Sequence, residues 1–205
     1  MTVSTHRASA KGARRREAIF TAATRLFAER GYAQTSIQDI AEEAGILKGS
    51  LYYYVSSKEE LLYQLLVRNH EALYAHVAGR APAADEPALA AVHSFVRRHV
   101  AYVLAHAELS ALYAQESAAL QADERWVREL RRLRRRHEDA LGALLRAAIE
   151  AGEAVDDDVV MTARAILSMA NATYRWQRSS PRRSPDQIAE HHARLAVHAI
   201  SATGR

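Results

Sequence analysis

TSIQDIAEEAGILKGSLYYY, residues 35–54, decides the fold. Ser36 followed three residues later by Asp39 is a helix start signal, a capping box in which each side chain satisfies the other's backbone N–H. Ile37, Ile40, Ala41 and Ala44 recur behind it at helical spacing, and Gly45 stops the run. A second short helix starts at once, over residues 47–53. Two short helices across a tight turn make a helix-turn-helix, in which the first braces the second and the second is narrow enough for the DNA major groove. Gly45 permits the turn where a Cβ would clash, and Ala41 lets the helices cross closely. Leu51 should face the core, whereas Lys48, Ser50, Tyr52 and Tyr53 offer donors and apolar edges to bases. Tyr52, Tyr53 and Tyr54 together would leave much aromatic surface in water; they lie either in a groove or against the third and fourth helices. Thr35 and Ser36 present hydroxyls and free backbone N–H groups to a phosphate, and Lys58 does the same at the start of the next helix.

The rest of the chain also reads as helix. Ala, Leu, Arg and Glu dominate, Gly and Pro number only eight and four, and no alternating β-branched run marks a strand. Residues 1–10 are expected outside regular structure and 12–30 in a helix carrying Ile19, Ala22, Ala23, Leu26 and Phe27. Another helix begins after Ser56 and Ser57 and reaches about Gly79. Residues 81–87 read as a linker, followed by helices over about 87–106, 108–120, 123–151, 156–178 and 185–202. Asp156, Asp157 and Asp158 suit a helix N-terminus, where the dipole favours anions. The expected organisation is a basic arm over 1–11, a DNA-binding domain over 12–58 and a second all-α domain over 59–205.

The charge is unevenly placed. Residues 1–58 hold nine Lys/Arg against five Asp/Glu, while residues 59–205 hold 19 of each, so the whole net charge of +4 sits at the front of the chain. A polyanion is drawn there. The arm with Arg7, Lys11, Arg14, Arg15 and Arg16 is either a tether for phosphates or a minor groove, or a solubilising tail. With no Cys, disulfides, thiolate metal sites and cysteine nucleophiles are excluded. Uncharged runs fall short of the roughly 18–20 apolar residues of a membrane span, and residues 1–20 lack the apolar stretch of a secretory signal, so no membrane partner and a cytoplasmic location are expected. No G-x-S-x-G, Walker loop or G-x-G-x-x-G is present, so an enzyme and a cofactor are not expected. His191 and His192 are adjacent and point about 100° apart; His93, His99 and His106 are spaced by six and seven, so no metal site is expected.

AATRLFAERGYAQTSIQDIAEEAGILKGSLYYYVSSKEELL, residues 22–62, resembles the DNA-binding domain of the TetR family of bacterial repressors, and the likeness runs from Arg16 to Leu66. Val55 stands where the family often has an aromatic, and Tyr54 where it often has His. The resemblance implies groove-facing roles for Gln38, Lys48, Gly49, Ser50, Tyr52 and Tyr53, and backbone-contacting roles for Thr35, Ser36, Tyr54 and Lys58. It also implies an all-α homodimer of about nine helices per chain, in which the last two helices build a four-helix bundle with the partner's. A small-molecule effector in the C-terminal domain then shifts two DNA heads relative to a double-stranded operator. Ile166, Met169, Ala170 and Thr173 on one helix and Ile188, His192, Leu195 and Ala199 on the other form the expected seam.

Candidate effector contacts are Tyr74, Phe95, Tyr102, Tyr113, Trp126, Arg175 and Trp176, aromatics that either line a cavity or fill the core. Residues 125–136 carry seven Arg in twelve residues, either a solvated face or an anion site. GILKGSLYYYV and the tail from Asn171 to Ile200 are similar to a TetR subgroup that senses acyl-CoA thioesters, with Arg175-Trp176-Gln177 and Ser184-Pro185-Asp186-Gln187-Ile188 echoing its tail. The expected function is a repressor released by a small, largely apolar ligand such as an acyl-CoA; the alternatives are a ligand-independent DNA-binding dimer and a sensor of a drug-like aromatic compound.

Overall fold

The structure is a computed structural model that describes residues 3–79, 86–116, 120, 123–177 and 183–202. Among them ten helical segments account for the regular structure: α1 (Val3–Arg30), α2 (Ile37–Glu43), α3 (Lys48–Leu51), α4 (Lys58–Ala78), α5 (Ala88–Ala105), α6 (Ala107–Glu116), α7 (Glu124–Glu150), α8 (Val159–Asn171), α9 (Tyr174–Gln177) and α10 (Pro185–Ile200). Among the described residues there is no strand, only an isolated bridge between Ala154 and Ser201 that ties the α7–α8 loop to the end of α10. The all-α reading holds.

Two differences concern boundaries. The helix expected from residue 12 has helical backbone already at Val3, so the expected free arm is drawn into α1; Ala8, Ala10 and Ala13 carry high helix propensity and no Pro interrupts them. The side chain of Arg7, and most of the expected linker over 81–87, lie outside the described residues. The helix expected over 156–178 is broken: α8 ends at Asn171, and α9 restarts after Ala172 and Thr173, whose hydroxyl donates to Ala170 O at 2.8 Å and competes with the backbone ladder.

Caps fall where the sequence places them. Ser36 caps α2 in a box with Asp39, Asp158 accepts from the N–H groups of Val160 and Met161 to start α8, and Ser184 forms a box with Gln187 ahead of Pro185. Gly45 (φ +66°) closes α2 by donating to Glu42 O while Ile46 donates to Ala41 O, the two bonds of a Schellman ending. Gly152 (φ +72°) ends α7 in the same way, with bonds from Gly152 to Ile149 and from Glu153 to Ala148.

The chain divides into two compact units, and the division differs from the expected cut at residue 58: the first comprises residues 1–68 and 111–127, the second 69–110 and 128–205. In the first, Ile19, Ala23, Leu26 and Phe27 of α1 are buried with Ile40 and Ala41 of α2, Leu51 of α3 and Leu61, Leu62 and Leu66 of α4. This core braces α2 and α3. In the second, α5 is central and packs against α8, α9 and α10, with Phe95, Val92, Val96 and Val100 buried among Leu141, Leu145, Ala163, Leu167, Ala189 and Ala193.

Candidate functional site

The exposed edge of the first unit is built around α3. Leu51, fully buried, pins the short helix to the core, and Val55 is buried just beyond it. Bonds from Tyr53 N to Ser50 O and from Tyr54 N to Leu51 O, the latter at 2.8 Å, continue the turn past the end of α3, so the expected span to residue 53 describes the local geometry. Tyr53 is 90% exposed and Tyr52 48% exposed, which excludes packing on the neighbouring helices for Tyr53; Tyr54 is half-buried. Lys48 and Gly49 are exposed and Ser50 half-buried. A Cβ added at Gly49 would meet nothing within 4 Å, so the protein does not need glycine there for its own packing. Gln38 is exposed on α2, its amide donating to Glu42 at 2.7 Å. Ser36 is exposed, with its hydroxyl held by Asp39. That hydroxyl and the backbone amide of Ser36 hold the Asp39 carboxyl below its ordinary value.

Two residues expected to hold phosphates serve the fold instead. Thr35 is buried, and its hydroxyl lies 2.9 Å from Gly31 O and 3.2 Å from Leu26 O, closing the loop between α1 and α2. Its side chain therefore does not reach a backbone outside. Lys58 donates to Tyr32 O and Thr35 O, each at 2.9 Å, and sits 4.3 Å from the centre of the Tyr32 ring. The ammonium ties the two carbonyls of the loop together, and Tyr32 O accepts from Thr35 N as well, at 3.3 Å. Arg14 and Arg15 are exposed on α1, whereas Arg16 is turned back to Gln64 and the Phe20 ring. One candidate contact was not singled out from the sequence: Leu47, 80% exposed at the start of α3. Its apolar character suggested burial, and only the position immediately ahead of Lys48 pointed the other way.

The second unit contains a cavity of about 280 Å³ between α4, α5 and α7. Tyr74, Val77 and Ala78 line it from α4, Ala91, Ser94, Phe95 and Arg98 from α5, Ala140 and Leu144 from α7, and Glu86 from the segment ahead of α5. Of the expected effector contacts among the described residues, Tyr74 and Phe95 line it and the others do not. Trp126 belongs to the first unit, where it stacks on Tyr63 with ring centres 5.1 Å apart. Tyr102 donates to Asn69 at 3.2 Å and stacks on His106. Arg175 is exposed beside Tyr174. The side chains of Tyr113 and Trp176 lie outside the described residues. Aromatic content misled because size does not report direction; the spacing of Ala91, Ser94, Phe95 and Arg98 along one helical stripe is the signal that locates the wall.

Behind Tyr74 and Phe95 lies a buried polar chain. His137 sits 5.2 Å from Phe95 and 6.2 Å from Tyr74 by ring centres. His137 Nε2 is 2.8 Å from His99 Nδ1, and His99 Nε2 is 2.9 Å from Asn171 Oδ1. Because Asn171 Oδ1 only accepts, His99 Nε2 carries the proton, its Nδ1 is bare, and His137 Nε2–H donates to it. Burial pushes His99 down to about 4 against the opposing Asn171 bond, and burial with the nearby His99 and His70 pushes His137 further down. Both rings are neutral near pH 7. Among the described residues no group of three His, Asp or Glu is placed to hold a metal.

The expected dimer seam needs correcting. Ile166, Ala170, Thr173, Ile188 and His192 are buried within their own chain, because the stripe they form on α8 and α10 faces α5 and the core. Met169 is half-buried, and Leu195 and Ala199 are exposed. The large apolar side chains left exposed on these helices are Val160 and Met161 on α8 and Leu195 on α10. Ala165 and Ala199 line a groove that α7, the α7–α8 loop, α8 and α10 share.

The profile described as bacterial regulatory proteins of the tetR family matches residues 19–65, and the one described as the tetracyclin repressor-like C-terminal domain matches residues 85–200. The chain belongs to the TetR family. As a TetR-family member it is a DNA-binding transcriptional regulator. It is 29% identical over 194 residues to the HTH-type transcriptional repressor KstR2 of Rhodococcus jostii, covering 94% of each chain. Its fold is similar to that of the ketosteroid transcriptional regulator KstR2 of Mycobacterium tuberculosis, with a TM-score of 0.76 at 26% identity over 91% of this chain and 95% of that one. It is similar in fold to AibR in complex with isovaleryl coenzyme A and operator DNA, with a TM-score of 0.77 at 23% identity over 88% and 97%. Among the described residues of this TetR-family chain no helix is long and apolar enough to cross a membrane.

Proposed function

We propose that this TetR-family regulator is a cytoplasmic repressor that binds a two-fold operator as a homodimer and is released by an acyl-CoA thioester. The observation that carries the effector reading is the cavity of the second unit. Tyr74, Val77, Phe95 and Leu144 give it apolar walls suited to an acyl chain, and Arg98, Ser94 and Glu86 add polar groups to the same lining. Its volume of about 280 Å³ suits the acyl portion, leaving the nucleotide outside. Arg136 of α7 stands beside the cavity wall, its guanidinium 3.7 Å from the centre of the Tyr74 ring and paired with Glu71, and guanidinium forks suit phosphates. AibR, similar in fold and in complex with isovaleryl coenzyme A, makes a thioester the first class to try.

A gel-shift on the regulator's own promoter fragment tests the reading. Acyl-CoA thioesters of graded chain length should release the fragment and bind saturably by calorimetry, whereas CoA alone should do neither. Release by a flat aromatic compound alone would assign the Tyr74 and Phe95 rings to a drug-like ligand. Binding that no compound disturbs would point to a ligand-independent DNA-binding dimer.

The dimer reading rests on the apolar face of α8 and α10. Leu195→Asp should convert the dimer to a monomer, read by sedimentation velocity, because a buried unpaired carboxylate costs several kcal/mol. An unchanged sedimentation coefficient rejects that face as the interface.

A further inference from the structure

On the reading that α3 enters the major groove, we infer that Leu47 is a specificity-determining residue that selects a thymine through its C5 methyl group. Leu47 occupies the position just before α3, with φ −69° and ψ 142°, and its side chain makes no capping bond. Ser, Thr, Asp and Asn are favoured at that position because their oxygens satisfy the first free N–H groups of the helix; a leucine contributes nothing of the kind. Nor does it contribute to the core, since 80% of it is exposed. Among the described residues of this unit the large exposed apolar ones are Leu47, Tyr52 and Tyr53, all at α3, the element that Lys48 and the open space beside Gly49 mark as the contacting one.

The chemistry of the groove narrows what Leu47 meets. An isobutyl group neither donates nor accepts. Among the four base edges in the major groove, the thymine methyl is the one apolar feature; adenine, guanine and cytosine present N7, O6 or amino groups there. A leucine set against any of those strips water from a polar edge without replacing its hydrogen bond. Set against a thymine methyl, it buries apolar surface on both sides. Lys48, next in the chain, has the complementary preference, for the acceptors of guanine. The pair therefore reads neighbouring positions by different physics, one by contact and one by charge.

The test uses the full-length protein and an operator obtained by selecting bound duplexes from a random library. Each thymine of the operator is replaced singly by deoxyuridine, which removes one methyl and leaves pairing intact, and affinity is read by fluorescence anisotropy. The wild type should lose about fourfold at one thymine per half-site, the value of one buried methyl group. Leu47→Ala should bind the thymine and uracil operators equally, and Leu47→Gln, selected afresh, should move the preferred base at that position to adenine. Melting curves show whether both variants keep the wild-type stability, as an exposed position predicts. A uracil scan that is flat for the wild type, or equally steep for Leu47→Ala, overturns the assignment while leaving the regulator reading in place. Failure to enrich any duplex sinks both.

Discussion

Lys48→Ala and Tyr53→Ala should each weaken binding to the operator by about 10- to 100-fold, with no change in melting temperature or in the dimer. Lys48 is exposed and Tyr53 is 90% exposed, so neither supports the fold, and the whole effect of removing them falls on the complex. A well-placed base contact is worth about 1–3 kcal/mol of discrimination, which gives the range. The two losses should differ in kind. Lys48→Ala should also flatten the salt dependence, by up to about one unit of slope, because it removes a positive charge from the interface, whereas Tyr53→Ala should leave the slope intact. Lys58→Ala is the contrasting control. Its ammonium holds Tyr32 O and Thr35 O, so its removal should lower the melting temperature of the DNA-binding unit. Anisotropy titrations over a range of salt, beside thermal melts, separate the outcomes. Wild-type affinity in both Lys48→Ala and Tyr53→Ala would remove α3 from the groove.

The contrast between Lys48 and Lys58 shows what the sequence reveals of such a site. Elements with a local signature were legible: Ser36 with Asp39, Gly45 and the apolar spacing behind them, and Asp158, each cap lying within a few residues of what it caps. Direction within an element was not. Thr35 looks like a phosphate-binding hydroxyl until its partners, Leu26 O and Gly31 O, are seen to be carbonyls of the preceding helix and loop. The stripe of Ile166, Ala170, Ile188 and His192 is apolar in either reading, and only the position of α5 decides that it faces inward and that Leu195 is left outside. Most of the cavity lining was missed for the same reason. Trp126 and Tyr102 are large enough to line a cavity but are engaged with Tyr63 and Asn69, pairings set by contacts between helices distant in sequence, and Tyr102 also stacks on His106 one turn on.

His99 and His137 carry the second large effect, on stability. Both are neutral and hydrogen-bonded in the core of the second unit, where the three-membered chain to Asn171 joins α7, α5 and α8. Burial places His99 at about 4 in the folded protein against 6.5 in the unfolded chain. The unfolded state therefore binds more protons below pH 6.5, and stability rises with pH across this window. The contribution is complete above pH 6.5 and is lost as the pH falls towards 4; by pH 5 His99 alone should account for about 2 kcal/mol. His137, shifted in the same direction, steepens the loss, and so does His70, pushed down to about 4 by burial and then by Arg134 and His99. Melting followed by circular dichroism should fall steeply between pH 6.5 and 5. The double variant His99→Leu/His137→Leu should melt along a much flatter curve, since it leaves His70 as the remaining buried imidazole of this cluster. Its absolute stability near pH 7 is set by repacking around Asn171, so the slope and not the height is the readout. Equal slopes in wild type and double variant would mean that protons enter elsewhere, and that the imidazole chain is not what acid breaks.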